Sequence, residues 1–212
     1  MKAFVYILAV LLLLSAANTS LAGPEPAIVP SPSLWILDVG FSQPQQVTVR
    51  LPGVRKPKRF WYIILTMTND ADIDVPFYPT CEMMTNTFKI TPAYKDTRGI
   101  VFARIKNRYR KIFPFLESLE TASNRILQGE DNKRDMVIIW PDFDPKAKGI
   151  TLFLAGLSNE TAVISHPTAT EDGQPLKVYL RKTLQLDYTI GGDGKLRRKG
   201  KLAYKSKRWI MR

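Results

Sequence analysis

The sequence predicts a mainly β fold: one β-sandwich domain with a short helical insertion at about residues 100–126. Three observations lead there. Apolar residues recur mostly with period two, the spacing that turns one face of a strand toward a core. Clusters of turn formers separate the apolar runs. One stretch, 100–112, repeats with helical spacing instead. The chain has 212 residues, of which 45% are hydrophobic and 24% charged. That composition excludes a disordered tail, a collagen-like fibre and a multi-pass membrane protein, and it suffices for one core.

The N-terminus reads as an export signal. Lys2 precedes the apolar run Ala3 to Leu14, followed by small and polar residues up to Ala22. The run falls short of the ~20 residues that span a bilayer. Ser20-x-Ala22 fits the small-x-small rule, which places cleavage between Ala22 and Gly23. Residues 1–22 are therefore expected to be a signal peptide, with an uncleaved anchor as the alternative. Gly23, not cysteine, follows the small residues, which argues against a lipoprotein. Residues 23–33 hold prolines at 24, 26, 30 and 32 and read as an extended Pro-rich linker. Residues 34–212 form the single domain, expected to be periplasmic or secreted, with no transmembrane helix after cleavage.

Leu34 to Val39 is a short apolar run. Val47, Val49 and Leu51 share one face of the next strand, and Pro52-Gly53 turns the chain into a basic loop, Arg55 to Arg59. Phe60 to Thr68 is the strongest strand. Trp61, Ile63, Leu65 and Met67 point one way and Phe60, Tyr62 and Ile64 the other. Such a strand is expected at the centre of a sheet, covered on both sides at its start. Asn69 to Asp72 ends it, and Ile73 to Tyr78 and Asn86 to Ile90 are further strands.

Val101, Ile105, Tyr109 and Ile112 fall on one face of a helix, with Arg104, Lys106, Arg108, Arg110 and Lys111 around the rest. Pro114 stops it. A basic amphipathic helix can lie on a membrane, but this apolar stripe is narrow and suits packing on a sheet. Phe115 to Ile126 is expected to form a second short helix. Strands resume at Met136 to Trp140, Ile150 to Leu154 and, briefly, Thr161 to Ser165. Val178 to Ile190 alternates most cleanly, with Lys182 the exception on its apolar side. Gly192-Asp193-Gly194 is expected to make a tight hairpin into a last strand within Leu202 to Ile210.

Trp61 to Asn69, followed by Val75-Pro76-Phe77-Tyr78-Pro79, resembles a pattern common in exported bacterial immunoglobulin-like domains. Leu127 to Glu130, Val137 to Ile139 and Ile150 to Leu154 resemble its second half, in which the Gly-Glu pair opens a strand. The ending Lys207 to Arg212 is similar to that of an uncharacterised family of secreted bacterial proteins. The resemblance implies an immunoglobulin-like β-sandwich and an exported location, and it transfers no functional residue.

The formal net charge is +12, or +11 without Lys2. Residues 195–212 carry nine basic and no acidic residues, so the charge is concentrated at the C-terminal end. Lys195, Arg197, Arg198, Lys199, Lys201, Lys205, Lys207 and Arg208, interleaved with Tyr204 and Trp209, make a strip suited to an anionic ligand. The same lysines and arginines would protect an edge strand from aggregation. For an exported protein, an envelope polymer, lipid head groups or an acidic protein are better partners than nucleic acid.

One cysteine, Cys81, closes no internal disulfide and reads as a buried apolar side chain, with an intermolecular disulfide or a reactive thiol as the alternative. With one histidine besides, His166, no zinc site is expected, and no cofactor motif is present. Asp142, Asp144, Glu130, Asp131 and Asp135 could supply paired carboxyls for a hydrolase, and Asp70, Asp72 and Asp74 alternate as in some calcium loops. Solvated turns explain them equally well. The expected function is a non-catalytic interaction or structural module at the cell envelope. Binding of an anionic ligand through the basic end is the alternative, and a carboxylate-dependent hydrolase stands third.

Overall fold

A computed structural model describes residues 26–191 and 201–212. The expected signal peptide, the Ala22/Gly23 cleavage site and the Gly192–Gly194 turn lie outside the described residues. The fold is mainly β, with several sheets and one α-helix.

Two strands organise the first sheet. β4 (Lys58–Thr68) and β10 (Arg134–Pro141) are antiparallel neighbours, in register from Arg134↔Met67 to Pro141↔Phe60. Both are apolar on both faces. Trp61, Ile63, Leu65 and Met67 join Met136, Ile138 and Trp140 in one core, while Phe60, Tyr62 and Ile64 join Val137 and Ile139 in another. β2 (Asp38–Phe41) and β3 (Gln45–Val49) pair along β4, and β8 (Glu117–Ser118) pairs with β10 in parallel.

The second sheet runs β1 (Ala27–Ile28), β12 (Thr161–Glu171), β13 (Gln174–Ile190), β11 (Gly149–Ala155), β6 (Thr80–Thr85), β7 (Ile90–Pro92), with β14 (Leu202–Met211) also on β13. Cys81, Met83, Leu152, Leu154, Leu184, Leu186 and Tyr188 face the first sheet across the larger core. β13 is long because its two halves have different partners, residues 174–181 pairing with β12 and 183–189 with β11. Asp172-Gly173 closes the β12–β13 hairpin with φ of 50° and 75°, the backbone of a type I′ turn. The chain kinks between β11 and β12 at Gly156, where φ is +87° and a Cβ would lie 2.7 Å from the Tyr78 carbonyl oxygen.

α1 (Gly99–Tyr109) covers the other face of the first sheet. Val101 and Ile105 are fully buried there beside Val47, Val49 and Leu116. The helix ends at Tyr109, so Ile112 is 69% exposed rather than part of its apolar stripe. The layers are therefore helix, sheet, sheet.

Several expectations need correction. Phe115 to Ile126 is not a helix. It makes β8, turns and β9 (Arg125–Ile126), which pairs with β5 (Val75–Pro76), because Leu116, Ser118 and Ile126 are drawn into the cores at separate points. The strand near residue 85 is β6, not Asn86 to Ile90; 86–87 is a turn in which the Asn86 side chain caps Lys148. Gly129-Glu130 enters a 3-10 turn, and β10 starts only at Arg134. Residues 23–33 are not wholly a linker, since Ala27–Ile28 extend the second sheet along β12. Thr161 opens an eleven-residue strand, not a short one. Lys182, the polar exception on β13, is half-buried with its ammonium 2.6 Å from Glu160.

The end of β4 is tied by one side chain. Asn69 is 1% exposed; its amide nitrogen donates to the Ile73 and Ile126 carbonyls at 2.8 and 3.1 Å, and its amide oxygen accepts from the Ala71 N–H at 3.1 Å. Removing it leaves buried polar groups unpaired. Asn69→Ala should lower stability by about 2–3 kcal/mol, measured by urea denaturation. A loss under about 0.5 kcal/mol would show that water replaces the amide.

Candidate functional site

Of the basic strip, Lys195, Arg197, Arg198 and Lys199 lie outside the described residues. Lys201, Lys205, Lys207, Arg208 and Arg212 are described, and the sheet does not collect them on one face. β14 runs antiparallel to β13, and cross-strand partners share a face. Arg208 stands opposite Gln185 and Ser206 opposite Asp187, on the face away from the core. Lys207 stands opposite core residue Leu186, on the other face. A register shift between Asp187 and Tyr188 leaves Lys205 as the extra, exposed residue of a bulge.

The outward cations are engaged. Arg212 reaches across the sheet to Glu82 on β6 at 2.6 Å, with its guanidinium 4.3 Å from the Phe153 ring centre. Asp187 centres a polar ladder: it accepts from Thr151 Oγ1 at 2.7 Å, Ser206 Oγ at 2.7 Å and Gln185 Nε2 at 2.9 Å, and Arg208 stands 3.9 Å away. Burial alone would raise its pKa. The hydrogen bonds from Gln185, Thr151 and Ser206, with the Arg208 charge, outweigh burial and hold the carboxyl below its ordinary value.

The inward side of β14 faces β2 and β3 across an open edge between the two sheets. A cleft of about 710 Å³ there is lined by Gln43 to Gln46, Trp61 and Lys201 to Tyr204. Farther along, Trp209 and Lys207 line a second cleft with Leu34 to Val39, Asp70 and Ala71. Lys207 Nζ lies 5.6 Å from the Phe41 ring centre, and Phe41 packs on Tyr204 at 6.1 Å between centroids. The buried Tyr188 beneath Tyr204 has no hydrogen-bond partner for its hydroxyl among the described residues. This edge thus offers rings, amides, the cations Lys201 and Lys207 and, in the second cleft, the carboxylates Asp38 and Asp70, a lining suited to an elongated polar ligand with an anionic portion toward Lys201.

Four of the carboxylates singled out in the sequence have structural partners. Asp142 takes Arg59 at 3.0 Å and the Trp61 indole N–H at 2.9 Å. Asp144 accepts the Lys146 backbone N–H and the Thr87 hydroxyl, both at 2.9 Å; these, with Lys89, hold it below its ordinary value. Asp135 accepts from Thr66 at 2.6 Å, and Asp74 from the Gln128 backbone at 3.1 Å. Glu130 and Asp131 sit exposed in the 3-10 turn. Among the described residues, no three His, Cys, Asp or Glu side chains converge on a cation position. His166 Nδ1 accepts the backbone N–H groups of Thr168 and Ala169 at 3.3 and 2.9 Å, inside the irregular stretch of β12. Cys81 is 5% exposed, and burial pushes its thiol pKa up. No helix among the described residues is long and apolar enough to cross a membrane.

The seam was missed in the sequence because its parts come from distant segments, 34–46 and 201–209. Asn69 and Asp187 were missed because each resembles an ordinary polar residue at a strand end or face. Compared with known proteins, the chain matches no family, no curated protein and no solved structure.

Asp187 makes stability depend on pH. Its folded pKa is depressed, so its contribution is present above the unfolded value and lost as pH falls through the folded one. Wild type should be more stable than Asp187→Asn above about pH 5, and the gap should close as pH drops below the ordinary carboxylate value of about 3.9. Urea midpoints across that range read it; a gap independent of pH would reject the assignment. Cys81 should resist a thiol reagent in the native protein and titrate fully in denaturant. Rapid native labelling would refute its burial.

Proposed function

We propose that the protein is a non-catalytic, exported interaction module at the cell envelope, built on an immunoglobulin-like β-sandwich. The pairing order supports the fold assignment. Immunoglobulin domains place strands A, B, E and D in one sheet and C, F and G in the other. Here β2 and β3 lie beside β4 and then β10, an A–B–E order, while β6, β11 and β13 follow a C–F–G order with β7 outside β6. The remaining elements are additions to that order: α1 and β8 in the link toward β10, the β5–β9 pair, β12 with β1 beyond the N-terminal half of β13, and β14 on its C-terminal half.

The observation that carries the binding role is the open seam between β14 and β2–β3. It holds a cleft of about 710 Å³ that sets Lys201 beside Trp61 and Tyr204, and a second that sets Lys207 beside Trp209, with Asp38 and Asp70 on its rim. An anionic ligand with flat or apolar portions suits it: an envelope polymer or an acidic protein segment. Of the hydrolase candidates, Asp142, Asp144 and Asp135 are engaged by Arg59, Trp61, Thr87 and Thr66, while Glu130 and Asp131 stand exposed in the 3-10 turn.

Salt-dependent retention on a sulfated polysaccharide matrix tests this reading. The combined variant Lys201→Gln, Lys205→Gln, Lys207→Gln should elute at clearly lower salt than wild type while keeping its thermal midpoint. Equal elution would sink the role of the C-terminal strand and leave its lysines as edge protection.

A further inference from the structure

A second concentration of charge lies away from the C-terminus. Arg50, Arg55, Lys56 and Lys58 border the β3–β4 turn, and Arg98, Arg104, Lys106, Arg108, Arg110 and Lys111 lie on or beside α1. Residues 50–58 and 97–116 contain no acidic residue. The fold joins these separate stretches. Arg98 Nη1 donates to the Pro52 carbonyl at 3.0 Å, and Arg50, Thr48, Ile100, Ala103, Arg104 and Asn107 line a shared cleft of about 460 Å³. All ten cations are exposed. None forms an ion pair with a carboxylate among the described residues. Arg108 instead donates to the Tyr62 hydroxyl at 3.0 Å. At the margin, Asp96 and Asp142 stand near Lys58, and Asp142 already holds Arg59.

Charge alone would suit any polyanion. The apolar residues at the end of α1 narrow the choice. The helix buries its own stripe, Val101 and Ile105, on the sheet. In the turn that closes it, Ile112 is 69% and Phe115 84% exposed, next to Arg110 and Lys111. The adjacent Phe113 and Leu116 supply the packing into the core, so Ile112 and Phe115 are not needed there. Cations beside protruding apolar side chains match the two layers of a membrane interface, anionic head groups above acyl chains.

We propose that the outer face of α1 and the β3–β4 turn docks on a membrane surface rich in anionic lipid, with Ile112 and Phe115 entering the acyl boundary. This surface is separate from the β14 seam, and the proposal does not rest on it.

Vesicle co-sedimentation of the full chain tests this. Neutral phosphatidylcholine vesicles are compared with vesicles containing about one-third phosphatidylglycerol. The uncharged apolar run at residues 3–14 acts on both kinds alike, so the preference for anionic vesicles is the readout. Wild type should prefer them by at least ~10-fold at low salt, and salt should erode the preference. Arg50→Gln, Lys56→Gln, Arg104→Gln, Arg110→Gln and Lys111→Gln together should reduce it several-fold. Ile112→Ser with Phe115→Ser should weaken vesicle binding several-fold while leaving retention on a soluble polyanion unchanged. The variant carrying Lys201→Gln, Lys205→Gln and Lys207→Gln should keep the preference. All substituted side chains are exposed, and unchanged thermal midpoints would show that the fold is intact. The proposal is overturned if wild type shows no anionic preference or the five-charge variant retains it undiminished. Unchanged vesicle binding by the Ile112/Phe115 variant would equally overturn it, in favour of a soluble polyanion.

Discussion

The structure depends on the pairing of β4 with β10. Eight consecutive residue pairs join two strands that are apolar on both faces. Neither face of this ribbon can be left to water, since each large apolar side chain buried gains about 1.5–3 kcal/mol. One face therefore takes the second sheet and the other takes α1. The peripheral elements follow from that demand. β2 and β3 finish one edge of β4, Leu116 plugs the helix side, and Val75 and Ile126 close the far end of the larger core.

The C-terminal strand shows how secondary structure redistributes charge. A run rich in lysine and arginine reads as one basic strip. Period two then sends Arg208 to one face and Lys207 to the other, and the bulge at Lys205 resets the phase. The outward arginines meet carboxylates, Arg208 near Asp187 and Arg212 on Glu82. The inward lysine meets a ring at the sandwich edge. Among the described residues, two of the five cations of this end thus meet carboxylates of the sheet.

The opposite happens on the helix side. Two basic stretches that are separate in sequence, the loop at Arg55 to Lys58 and the run from Arg104 to Lys111, become one surface because α1 lies along β3. They stay free of ion pairs with carboxylates among the described residues, whereas the C-terminal arginines do not. The two cationic regions therefore differ in kind. One borders a cleft lined with rings and amides, and the other is a broad exposed face ending in Ile112 and Phe115.

By itself the sequence determined the β class, the central two-faced strand Phe60 to Thr68, the helix at Val101 and Ile105, and the burial of Cys81. These are periodic or strongly apolar signals, legible because burial acts on each residue through its nearest neighbours in the chain. Tertiary structure alone decided the fate of Phe115 to Ile126, where a helical spacing of Leu116 and Leu119 lost to separate anchor points in two cores. It also decided the strand that Ala27–Ile28 adds to β12, the Asn69 tie, the Asp187 ladder and both candidate surfaces. Each of these joins residues far apart in sequence, so it forms only once the β4–β10 ribbon has placed its two faces, and no local pattern could encode it.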